Sequence, residues 1–160
     1  MARKSVMDLS RMMRHVLYDS GEQSTTLDKE VEFLTNYIEL MRIRYIDDVD
    51  IRFTFPDINI CRRVKLPPLL LIVLIENAFK HGVSYDKQSY IHISLYVDGN
   101  ELTCLVVNSR HIKQAAEHSG IGLSNITRRL DLLFGSRYML DIDDVDDKKY
   151  VVKLVIPVTP

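Results

Sequence analysis

Ile75-Glu76-Asn77-Ala78-Phe79-Lys80-His81-Gly82 ends an apolar run with an acid, an amide, a lysine, an imidazole and then a glycine. From Leu69 to Ile75 every residue is apolar. The spacing predicts a helix over 68–81, apolar almost all round as far as Glu76 and therefore central in the fold. Proline is accepted in a first helical turn, so Pro68 is expected there, and Gly82 ends the helix. Asn77, Lys80 and His81 lie three and four positions apart and share a face. Glu76 is rotated from Asn77 by about 100°. An amide oxygen is a hard ligand suited to Mg²⁺, and a lysine is a point charge suited to phosphate. The plainer reading is that these polar residues mark the wet end of a buried helix.

Further on, Gly120-Ile121-Gly122-Leu123-Ser124-Asn125 reads as a glycine loop opening another helix. Backbone N–H groups in such a loop can cradle phosphate. G-x-G alone is common in loops, but with the Asn77–Lys80 face it predicts a Mg²⁺-nucleotide site. The P-loop pattern G-x-x-x-x-G-K-[ST] is absent.

Working outward, residues 5–19 read as a helix with Val6, Leu9, Met13 and Val16 on one face. A second helix over 27–45 carries the stripe Leu27, Val31, Leu34, Ile38, Met41 and Tyr45, preceded by Thr25 and Thr26 as N-cap candidates. That stripe fits packing on its own domain and packing across a dimer equally well. Ile51, Phe53 and Phe55 alternate as a strand, and residues 58–66 are ambiguous. Ile91 to Val97 alternates, Asp98-Gly99 signals a hairpin turn, and Leu102 to Val107 returns, apolar on both faces. Residues 109–119 are polar and irregular; helix 123–134 follows with Leu123, Ile126, Leu130 and Leu133; Tyr138–Val145 and Tyr150–Ile156 form a last hairpin. The order predicts an α/β (α+β) fold: a two-layer sandwich of a mixed, largely antiparallel sheet and about three helices, behind a helical segment.

At 160 residues the chain fits one domain with a helical extension, and 46% hydrophobic and 27% charged residues are ordinary for a globular protein. A net charge of −1 offers no field for nucleic acid or anionic lipid. Cys61 and Cys104 form no C-x-x-C, and Cys104 reads as a buried reduced thiol. The N-terminus has no signal-peptide core, and the run Leu66–Ile75 is too short, and too proline-interrupted, for a span of about 20 residues. This predicts a soluble chain.

In this order the segments resemble the ATP-binding domain of LytS/YehU-type sensor histidine kinases, within the gyrase, Hsp90, histidine kinase and MutL ATPase group. Leu66-Pro67-Pro68-Leu69 through Gly82 resembles its N-box, and Gly120–Asn125 followed by Arg129-Leu130 resembles its second glycine box. Upstream, Leu9–Arg14 and Thr26–Glu30 through Asn36-Tyr37-Ile38 are similar to the family's pattern. The resemblance implies a Bergerat-type fold over 47–160 and makes 1–46 a remnant of the dimerisation and phosphoacceptor region. It implies ATP and Mg²⁺ as cofactors, with Asn77 holding the metal and Lys80 and His81 on phosphate. Asn77 and Lys80 would be the catalytic pair. Gly120, Gly122 and Leu123 would close on the phosphates, residues 110–119 would form a short lid, and Asn108 would meet adenine.

The implied activity is transfer of the γ-phosphoryl of ATP to a histidine for relay to a response regulator. Two departures stand out. At the place of the group's D-x-G box stands Val107-Asn108-Ser109, in which the Asn108 amide oxygen replaces the carboxylate that accepts the adenine amino proton, and the box's glycine is missing. Val73 takes the place of the polar residue one turn before the Mg²⁺ ligand. The family's P-H-F-[LI]-F-N acceptor motif is absent, and His15 is not its equivalent. The chain is therefore expected to begin past the acceptor, as the cytoplasmic portion of a bacterial inner-membrane sensor that dimerises in full-length form and meets the membrane through a missing sensor region. An anti-sigma-type serine/threonine kinase and a nucleotide-free dimerisation scaffold are the alternatives.

Overall fold

The computed structural model describes residues 24–45, 49–83, 88–110, 121–144 and 148–159. The expected helix 5–19 lies outside them. Five strands form one sheet in the order β2-β4-β5-β7-β6: β2 (Val49–Thr54), β4 (Ser89–Asp98), β5 (Glu101–Ser109), β6 (Met139–Asp143) and β7 (Lys149–Pro157). The pair β2–β4 is parallel and all other pairs are antiparallel. Among the described residues, three helices of three turns or more, α1 (Leu27–Arg44), α3 (Leu71–Gly82) and α4 (Ile121–Phe134), accompany the sheet. The mixed, largely antiparallel sheet with its helices is the expected α+β architecture.

Alternation sets the faces. In β4, Ile91, Ile93 and Leu95 are buried, while Tyr96 is exposed on the outer side. In β5, the middle strand, Leu102, Cys104, Val106 and Asn108 face inward, whereas Thr103, Leu105 and Val107 are half-covered. Its apolar outer face is thus less buried than its composition implies. Gly99 takes the first loop position of the β4–β5 hairpin with φ +58°, the position that type II′ turns give to glycine.

Helix α3 contributes Leu71, Ile72, Leu74, Ile75, Ala78 and Phe79 to the core, as an apolar-all-round helix must. It begins at Leu71 rather than at Pro68. Leu69 has φ +62°, which a right-handed helix cannot contain, so Pro67 to Leu70 form a turn instead. The ambiguous stretch resolves into a short α2 (Ile58–Cys61), capped by the Asp57 carboxylate on the Asn59 N–H, and a short strand β3 (Lys65–Leu66). That strand pairs with β1 (Thr25–Thr26).

Through β1 and the bond from the Leu27 N–H to the Val64 carbonyl, α1 is tied to the sheet-bearing unit. Its stripe of Leu27, Val31, Leu34, Ile38 and Met41 is buried in the same core as Leu70, Leu74 and Ile93. Tyr37 meets Phe79 edge-on at 5.8 Å and Tyr45 stacks on it at 6.4 Å. Intramolecular packing accounts for the stripe.

Candidate nucleotide-binding site

The end of α3 and the end of β5 meet at a set of short polar contacts. The Asn108 side chain is 1% exposed. Its Nδ2 donates to the Ser109 carbonyl at 2.9 Å, which fixes the orientation of the amide. Its Oδ1 is buried and accepts no hydrogen bond among the described residues. Such an acceptor is costly unless something donates to it. Ser109 ties the neighbouring backbone together: its hydroxyl donates to the Gly82 carbonyl at 2.7 Å and accepts from the Tyr90 N–H at 3.1 Å. Gly82 is needed where it stands, because a Cβ there would lie 2.9 Å from both Asn108 Cβ and Nδ2.

One turn back from this end of α3, Asn77 is half-buried and its side chain shares a hydrogen bond with the Tyr150 hydroxyl. Tyr150 is the register partner of Asn108 on β7, so both side chains leave the sheet on the helix side. Burial and the nearby Asp144 push the Tyr150 hydroxyl pKa upward, against the pull of Arg110 and of Asn77. Arg110 in turn donates to the Asp144 carbonyl, tying the end of β5 to the end of β6. Lys80 is exposed in the last turn of α3, and His81 beside it is half-buried.

The structure therefore brings Asn77 and Asn108 to one corner, with Lys80 and His81 on the last turn of α3. Gly120 lies outside the described residues, as does the lid apart from Arg110. Gly122 falls in the first turn of α4, which starts at Ile121 rather than at Leu123. Leu123 packs on the core, and its carbonyl accepts from the Thr127 hydroxyl at 2.8 Å. Sequence reasoning missed Tyr150 and Ser109. Tyr150 reads as one more aromatic strand residue, and only the β5–β7 register sets it opposite Asn108.

The donor set fits an adenine nucleotide. A buried, oriented amide acceptor with no partner suits an exocyclic amino group, and Gly82 lets the end of α3 approach Asn108 closely. Among the described residues no cluster of three or more His, Cys, Asp or Glu could hold a metal. Mg²⁺ binds through few protein ligands and keeps waters and phosphate oxygens, so a lone amide such as Asn77 is compatible with it.

The fold is that of histidine kinase catalytic domains: the nucleotide-free catalytic domain of histidine kinase ThkA superposes with a TM-score of 0.60 at 16% identity, covering 86% of this chain and 97% of that one. ThkA in complex with response regulator protein TrrA superposes with a TM-score of 0.56 at 14% identity, covering 97% of this chain and 48% of that one. The histidine kinase family model matches residues 1–49. The particular resemblance is to the LytS sensor proteins: that of Staphylococcus haemolyticus is 28% identical over 159 residues, covering 91% of this chain and 27% of that protein. The chain spans about a quarter of the length of the curated relatives it matches. In sequence the chain is thus similar to LytS sensor proteins, and in fold to histidine kinase catalytic domains.

Proposed function

We propose that this domain binds ATP with Mg²⁺ and serves as the catalytic part of a longer two-component sensor kinase. The observation that carries the reading is the unpartnered, buried Asn108 Oδ1 beside Gly82, at the corner that also holds Asn77. Asn108 Oδ1 accepts from the adenine amino group in the role a carboxylate plays elsewhere. Asn77 holds Mg²⁺, which supplies charge neutralisation on the phosphates. Lys80 and His81 bind phosphate oxygens, and the start of α4 offers the N–H groups of Gly122 and Leu123, with Gly120 just before them. Catalysis in this setting is positioning and electrostatics. The bond between the γ-phosphorus and the β–γ bridging oxygen breaks, and a P–N bond forms to an imidazole supplied from outside the chain. ADP leaves, and the phosphoryl group passes to an aspartate of a response regulator. The solved ThkA–TrrA pair supports such a partner. A homodimer, and attachment to a membrane sensor region with this domain on the cytoplasmic side, complete the reading; no described helix is long and apolar enough to cross a membrane.

Calorimetry with ATP and GTP, with and without Mg²⁺, tests the nucleotide site. Mg²⁺-dependent ATP binding at micromolar to sub-millimolar strength, about −5 to −8 kcal/mol, is expected. GTP presents a carbonyl where ATP presents an amino group, and should bind at least ~10-fold more weakly. Asn77→Ala and Asn108→Ala should each weaken ATP binding. No ATP binding at millimolar concentration overturns the reading. Adding a phosphoacceptor-helix fragment and finding acid-labile phosphohistidine tests the transfer.

A further inference from the structure

The turn that launches α3 is held from two other helices. Leu69 is, among the described residues, the one non-glycine in the left-handed region, at φ +62°. A residue with a Cβ stays there when its surroundings over-determine it. Its N–H donates to Glu30 Oε1 on the first turn of α1, at 3.3 Å. Its carbonyl accepts from Arg129 Nη1 on α4 at 3.1 Å, and the Pro68 carbonyl accepts from Arg129 Nη2 at 2.5 Å. Glu30 and Leu69 are 2% and 4% exposed. The second Glu30 oxygen has no hydrogen bond among the described residues, so burial of this carboxyl serves a single backbone N–H. A hydrophobic residue of similar volume would fill the site at lower cost in desolvation. What the carboxyl adds is direction: it fixes one amide of the turn, and Arg129 fixes the carbonyl of the same residue.

We propose that Glu30 and Arg129 are positioning residues that clamp Leu69 from both sides and lock α1, the start of α3 and α4 into one unit. Helix α3 begins two residues beyond the clamp and carries Asn77, Lys80 and His81. Helix α4 carries Gly122 and Leu123 in its first turn. The clamp thus joins the helix that follows the N-terminal segment to both walls of the nucleotide site, and this consequence rests on the nucleotide-binding reading above. Gln at position 30 keeps an acceptor oxygen for Leu69; Ala does not.

The test is amide hydrogen exchange on the full chain, paired with Mg²⁺-ATP affinity, for the wild type, Glu30→Ala, Glu30→Gln and Arg129→Met. Glu30→Ala should speed exchange at Leu69 to Ile72 and in α4 about 10-fold or more, with β4, β5 and β7 unchanged, and weaken ATP several-fold. Glu30→Gln should stay near wild type. Arg129→Met should loosen α1 as well as the turn, and it decides the matter if Glu30→Ala does not fold. Loosening confined to the mutated helix, a uniform rise that includes β5, or a Glu30→Gln variant as damaged as Glu30→Ala overturns the proposal. If the wild type fails to bind ATP, the nucleotide reading falls, while the exchange pattern still decides the clamp.

Discussion

Gly82 and Asn108 touch where the last turn of α3 meets the end of β5: a Cβ on the glycine would sit 2.9 Å from the Asn108 Cβ. Neither side can yield cheaply, since the Gly82 carbonyl is held by Ser109 and the Asn108 amide by the Ser109 carbonyl. Gly82→Ala should therefore push Asn108 off its position. The expected outcome is a loss of about 1–3 kcal/mol of stability and at least ~10-fold weaker ATP binding. Chemical denaturation and calorimetry on the same variant check both. Unchanged ATP affinity would detach Asn108 from nucleotide recognition.

Tyr150 shares a hydrogen bond with the side chain proposed to hold Mg²⁺. Tyr150→Phe removes the hydroxyl and leaves the ring. Stability should fall by about 0.5–1.5 kcal/mol, the usual net worth of one hydrogen bond. The bond holds the Asn77 Nδ2 and leaves its Oδ1 oriented for the metal, so without it Mg²⁺-ATP affinity should fall a few-fold and ATP affinity without Mg²⁺ should not move. Titrations at varied Mg²⁺ separate the two effects.

Burial pushes the Glu30 carboxyl up from the usual 4.5 to about 7, against the pull of the Leu69 N–H and Arg129. The folded chain therefore holds this proton more tightly than the unfolded chain. The contribution of Glu30 to stability is complete below about pH 4.5 and is lost as pH rises through about 7. The full difference is on the order of 3 kcal/mol. Glu30→Gln should remove this dependence, so its stability relative to wild type should be greater at pH 8 than at pH 5. Urea melts at the two pH values measure it, and an equal difference at both would show that Glu30 does not titrate in this range.

Cys61 and Cys104 are both fully buried and unbridged. Burial pushes the Cys104 thiol up to about 12, and burial with the nearby Asp28 and Asp57 raises that of Cys61. Only thiolate reacts, so the folded protein should resist thiol reagents at neutral pH. Both cysteines should label together on unfolding, and fast labelling of either in native buffer would contradict the packing around it.

Much of this protein was determined by its sequence alone. The all-round apolar run Leu69–Ile75 has no stable place except the centre of a layered fold, and the alternation in Ile91–Val97 forces one buried face on its strand. Local chemistry also placed Asn77, Lys80 and His81 on one helical face, because 3.6 residues per turn leaves no other arrangement. A proline pair permits a helical first turn, which sets the expected start of α3 at Pro68, three residues before its actual start at Leu71. What excludes that turn is a left-handed Leu69, imposed by Glu30 and Arg129 from distant parts of the chain. Only the tertiary structure decided that α1 turns its stripe inward, that Asn108 keeps an unpartnered oxygen, and that Tyr150 stands opposite it. Each depends on strand register or on helix docking, which bring residues together across long sequence separations and leave no mark in local periodicity.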